Sequence, residues 1–195
     1  MARQNQNNKK NKLSPKSLVF WGSILLVTIA FFVVIVIKWV DSSKVVTSYD
    51  RMEQLISEEI FQQYDRTVVG KYEYYVFVYG SSEEENYASD VNDLEEHICD
   101  YLTYVNRNDD AIKLYGFDID NAANEHKIGS SSRLTEDNFA KWCVSRSDVP
   151  SLIKVTVNVT QNSSGTNSAD VVIDYAFTNV QSIKTELDNI VNPKE

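Results

Sequence analysis

A chain of 195 residues, 43% of them hydrophobic, carries enough apolar material for one well-buried domain and an accessory segment, and too little for two ordinary domains. The formal net charge of -9 conceals a basic leader, because Arg3, Lys9, Lys10, Lys12 and Lys16 all precede residue 18 and no acid does. Everything after residue 40 is strongly acidic, and such a surface repels phosphate backbones, which argues against nucleic acid as a partner.

Residues 1–17, MARQNQNNKKNKLSPKS, are polar and without periodicity, and are expected to be a disordered tail whose lysines suit anionic lipid headgroups. Leu18 to Ile37 then runs without a charge. About 20 such residues, at about 1.5 Å each, match the roughly 30 Å hydrocarbon thickness of a bilayer. Trp21 near one end and Lys38 and Trp39 at the other suit the two interfaces. A cleavable signal peptide has a shorter apolar region, about 7–15 residues, and ends in a small-x-small site that WVDSSK lacks. The expectation is an uncleaved transmembrane helix over 18–40, with the basic flank placing the N-terminus in the cytoplasm and residues 41–195 outside.

In TSYDRMEQLISEEIFQQY, the spacing of Met52, Leu55, Ile56, Ile60 and Tyr64 predicts an amphipathic helix. YEYYVFVYG, 72–80, is a dense aromatic and β-branched run that predicts a buried central strand. It breaks at Gly80 into SSEEEN, after which Tyr87, Val91, Leu94, Ile98 and Leu102 keep helical spacing. Ser82 with Glu85 forms a capping-box pattern, and acids in a first turn suit the helix dipole, which explains this acidic turn structurally. AIKLYGFDI, 111–119, predicts a second strand. LTEDNFAKW predicts a short helix capped by Thr135, with Leu134 stapled onto Phe139. Strict alternation of Ile153, Val155, Val157 and Val159 predicts the next strand, QNSSGTNSA a loop, VVIDYAF a returning strand, and Val180, Ile183, Leu187 and Ile190 a closing helix.

Helix, strand, helix, strand, helix, strand, strand, helix is the thioredoxin order with one extra helix in front. YYVFVYGSSEEEN resembles the strand and turn that lead into the C-x-x-C motif of thioredoxins, and DVPSLIKV resembles the segment holding their cis-proline. The resemblance covers roughly residues 48 to 191. It implies an α/β, thioredoxin-like domain, a mixed sheet flanked by helices, following the transmembrane helix. Laid on the family pattern, the four C-x-x-C positions fall on Glu83, Glu84, Glu85 and Asn86, so both redox cysteines are missing. Disulfide exchange needs a thiolate, which no carboxylate replaces. The groove residues the resemblance implies are Glu83, Asn86, Val149 and Pro150.

Cys99 and Cys143 are the two cysteines. The resembling fold carries the corresponding segments on opposite faces of its sheet, so it implies two separate thiols rather than a disulfide. DIDNAANEH, 118–126, lacks the glycine and distal glutamate of an EF-hand loop, and His97 lies in a predicted helix beside Glu95 and Glu96. A solvated loop, an exposed helical histidine, no metal and no cofactor are expected. There is no G-x-S-x-G, Walker or dinucleotide fingerprint. Asn158-Val159-Thr160 and Asn162-Ser163-Ser164 are glycosylation acceptors in a eukaryotic host, whereas the basic leader and single anchor suit a bacterial one.

Two functions follow as expectations. One is a redox-inactive, membrane-anchored binding or scaffold module of the cell envelope, contacting an extended peptide or an envelope protein by strand-edge pairing. The alternative is a thiol-disulfide oxidoreductase, or a peptide-export accessory protein, working through Cys99 or Cys143. The tetrapeptide at 83–86 favours the first.

Overall fold

The structure, a computed structural model, describes residues 15–81 and 87–193. The chain divides into two units, Met1–Ser43 and Lys44–Glu195. In the first, helix α1 (Pro15–Ser43) has 29 residues, buries none of them, and is long and apolar enough to span a membrane. It begins at Pro15, whose missing N–H costs nothing at a first helical position. It also passes the expected end at Val40, and the hydroxyls of Ser42 and Ser43 donate to the carbonyls of Trp39 and Val40, at 2.9 and 2.7 Å.

The second unit is built on a mixed four-stranded sheet in the order β2-β1-β3-β4. Strand β1 (Gly70–Tyr79) pairs in parallel with β2 (Lys113–Asp118) and antiparallel with β3 (Ser151–Gln161), and β3 pairs antiparallel with β4 (Asn167–Phe177). The parallel pair is joined through helix α2 (Tyr87–Arg107), as a parallel connection requires a crossover. The β3–β4 hairpin turns at Gly165, whose φ of 81° lies in the left-handed region that glycine adopts at no steric cost. Helix α3 (Val180–Val191) closes the domain, capped by Asn179, whose Oδ1 accepts from the Ser182 N–H at 2.8 Å.

Alternation along the strands feeds two cores. Tyr74, Val76 and Val78 with Ile153, Val155, Val157 and Val159 face one side, joined by Leu55, Ile60, Phe117 and Trp142. Tyr75, Phe77 and Leu152 face the other, against Val91, Leu94, Ile98 and Tyr101 of α2 and Ile183 and Leu187 of α3. Both α-helices therefore cover a single face, while short 3-10 turns and irregular chain cover the first.

That asymmetry corrects two expectations. The expected helix over 48–64 is absent. Two 3-10 turns, Tyr49–Arg51 and Ser57–Phe61, flank a bridge in which the Leu55 N–H donates to the Gly116 carbonyl (2.8 Å) and the Gly116 N–H to the Glu53 carbonyl (2.9 Å). In extended chain, positions three apart point to opposite faces. Met52 accordingly enters the α2 side, Leu55 and Ile60 enter the other, and Ile56 is exposed. A Cβ at Gly116 would lie 2.5 Å from Gln54 Nε2, so a larger residue there would make the exposed Gln54 side chain swing aside.

The expected helix from Thr135 is absent too. Asn138 Oδ1 accepts the Ala140 N–H at 2.9 Å, while the Asn138 carbonyl takes the N–H groups of Lys141 and Trp142. Asp137 Oδ1 accepts the Ile173 N–H on β4 at 2.7 Å, and the Leu134 carbonyl accepts the Trp142 indole at 3.1 Å. Side chains and tertiary partners thus take the groups a helix would have used.

Candidate functional site

The parallel strands β1 and β2 end where β3 begins. Val78 pairs with Ser151, and one further step along that register sets Tyr79 opposite Pro150. The Val149-Pro150 bond is cis, and both residues are buried. They stand beside the point where the chain leaves β1 through Gly80 and Ser81. The expected Ser82–Glu85 capping box and the groove residues Glu83 and Asn86 lie outside the described residues.

Asp118 organises the rim. Its Oδ1 accepts the N–H of Ser81 at 3.3 Å and that of Asp120 at 2.9 Å, tying the ends of β1 and β2 together. The Ile119 N–H donates to the Tyr79 carbonyl at 2.9 Å, and Arg146 Nη1 lies 3.1 Å from Asp120 Oδ1. The segment before Pro150 is a 3-10 turn, Arg146–Asp148, capped by Ser145. Below the rim, Tyr79 stacks on Phe77 at 5.5 Å and meets the edge of Tyr49 at 5.6 Å. Burial, followed by the charge of Asp118, raises the Tyr79 phenol above its ordinary value. Burial likewise raises Tyr49, with Asp50, Glu95 and Asp118 adding to it. The arrangement offers backbone, an apolar floor and an acidic rim. No cysteine stands at it among the described residues.

Neither thiol is close to the other. Both cysteines are free: Cys99 is buried in the α2-side core, while Cys143 is half-buried between Trp142 and Val144 of the opposite core. Burial, then Glu95 and Asp100, pushes the Cys99 thiol up, and Cys143 Sγ donates to the Ser131 carbonyl at 3.3 Å. A thiol reagent at about pH 8 is therefore expected to modify Cys143 in the native protein and Cys99 only after denaturation. Two equally fast native reactions would show that the α2 face opens readily.

His97 and part of the 118–126 loop differ from expectation, while His126 is exposed as expected. His97 is not an exposed helical residue; its Nδ1 lies 2.6 Å from Asp188 Oδ1, linking α2 to α3. The 118–126 loop is not simply solvated, because Asn124 is 0% exposed and bonds the chain on both sides. Lys127 beyond it is buried, with its ammonium donating to the Phe139 carbonyl and lying 3.3 Å from the Phe139 ring centroid. Burial pushes that ammonium down, against the opposing effects of Cys143 and Glu58. Among the described residues, no group of three or more His, Cys, Asp or Glu converges as a metal site.

No protein-family model, no curated protein and no solved structure matches the chain.

Proposed function

We propose that this chain is a single-pass membrane protein of a bacterial cell envelope, with a cytoplasmic N-terminus and an extracytoplasmic, thioredoxin-like domain that has lost its redox pair and binds extended polypeptide. Strand order carries the reading. With the Gln54 bridge at the edge of β2, the sheet reads Gln54-β2-β1-β3-β4, with the same directions as the five strands of that fold. Pro150 stands at the end of β1, where that fold presents a peptide groove. Backbone pairing in such a groove requires no catalytic side chain. Cys99 is buried in the α2-side core, whereas Cys143 is half-buried and turned to the Ser131 carbonyl, and both are free, which speaks against a dithiol oxidoreductase built on them.

The test uses the full chain in lipid nanodiscs, with a photo-crosslinking amino acid at position 148 or, at the far end of β3, position 158. Reduced, carboxymethylated insulin B chain is the probe. Crosslinking from 148 and not from 158, with no reduction of intact insulin, is expected. Insulin reduction through a Cys99 or Cys143 that cycles with glutathione would replace the binding module with an enzyme.

A further inference from the structure

Where β4 passes into α3, Phe177, Asn179, Gln181, Ser182, Thr185 and Glu186 line an open cleft of about 280 Å³. Its neutral polar groups are engaged locally. Asn179 Oδ1 accepts both the N–H and the hydroxyl of Ser182, each at 2.8 Å, and the Thr185 hydroxyl donates to the Gln181 carbonyl at 2.8 Å. Glu186 is the one charged lining residue. Its Oε1 accepts the hydroxyls of Tyr75 and Tyr175, at 2.6 and 2.8 Å, which fixes the carboxylate at the cleft wall. No hydrogen bond from a described residue reaches its second oxygen.

The cleft lies near the proposed peptide site along the sheet, since Phe177 pairs with Leu152, two positions from Pro150. The geometry points to a specificity subsite for a basic side chain of the bound peptide. A lysine laid across Phe177 would pack its methylenes on the ring and bring its ammonium to the outer oxygen of Glu186. Complementary charge supports that occupant: the subsite has one fixed carboxylate, no competing cation on its walls, and a domain of acidic composition around it.

This inference rests on the peptide-binding reading, and the test separates the two. Full chain in nanodiscs is titrated, by fluorescence anisotropy, into a labelled heptapeptide of Ser, Val and Thr carrying one central lysine, and into its norleucine counterpart. The lysine peptide is expected to bind about tenfold more tightly, a preference that Glu186→Gln abolishes and raised salt shrinks. The glutamine retains an acceptor for both tyrosines, and unchanged circular dichroism would verify the fold. Gln181→Lys, on the exposed rim, is a second variant and is expected to weaken the lysine peptide selectively. Equal binding of both peptides, or a preference that survives Glu186→Gln, overturns the subsite while leaving the module standing. Failure of both peptides to bind removes the module and the subsite together.

Discussion

Asn124→Leu is expected to destabilise the folded domain by about 3 kcal/mol, a large share of an ordinary domain's stability. Its Oδ1 accepts the Ser57 N–H at 2.7 Å, and its Nδ2 donates to the Asp118 carbonyl at 2.8 Å. Ser57 sits at a φ of 50°, a conformation uncommon for a residue with a side chain, so the amide also holds the backbone in a turn it would otherwise leave. Leucine has nearly the right volume, so packing loss is small and the cost lies in two half-buried backbone groups stripped of partners. Urea unfolding followed by circular dichroism measures the effect. Glu125→Ala, next to it and exposed, is the control and should change stability by less than about 0.5 kcal/mol. If Asn124→Leu matched that control, the 54–57 segment would be held by other contacts.

Alkali should unfold this protein steeply. Tyr74, Tyr75, Tyr79 and Tyr101 are 2%, 2%, 5% and 0% exposed, and burial is the leading cause that raises each phenol above 10.0. Tyr175 is pushed up to about 12, by burial first and by the Glu186 carboxylate beside it. The sign follows from proton counting. Above pH 10 an unfolded phenol releases its proton while a buried one keeps it, so the folded state holds more protons and loses stability as pH rises. Their contribution is complete below that pH. Each fully buried phenol removes up to about 1.4 kcal/mol per pH unit, and less for Tyr75 and Tyr79, whose hydroxyls lie nearer solvent. Lys127, held below its ordinary 10.5, acts in the opposite sense as pH approaches that value, but it is one group against several. An ordinary stability of about 5–15 kcal/mol would be exhausted within about one to three units. Of the eleven tyrosines, the buried ones should ionise only as the far-UV circular dichroism is lost, a late step in phenolate absorbance between about pH 9 and 12. Complete phenolate formation, the buried rings included, with unchanged ellipticity would mean that water reaches these rings in the native state.

What the sequence disclosed depended on whether a pattern had one structural solution. Strict alternation in β3 and long 3.6-residue periodicity in α2 and α3 leave little choice, and those elements stand where periodicity predicts them. Met52, Leu55 and Ile60 have spacings that serve a helix with one apolar face equally well as an extended chain between two cores. Local spacing cannot choose between them, because the choice is made by the exposed edge of β2 at Gly116, some 60 residues away. The Thr135 cap signal failed for a related reason: Asp137 and Asn138 have tertiary and local uses stronger than a helix start. Asn124 and Lys127 looked like loop surface because composition says nothing about which polar residue is buried. At the site, Val149 and Pro150 were legible through a family resemblance. Glu186 was not, since one of its tyrosine partners lies 111 residues away in sequence.

The contact between Asp137 and the Ile173 N–H has a meaning for life in a crowd. Strand β4 is the last in the sheet, and such a border offers an unpaired row of donors and acceptors to any passing chain. A carboxylate already seated on one of those donors interrupts the row and places a negative charge along it. Tethering to a bilayer, as proposed above, confines copies to two dimensions and raises their encounter frequency. Under that confinement a carboxylate on the edge strand works against edge-to-edge pairing, and Asp137→Ala is expected to gain thioflavin-reactive aggregates faster than the unaltered chain.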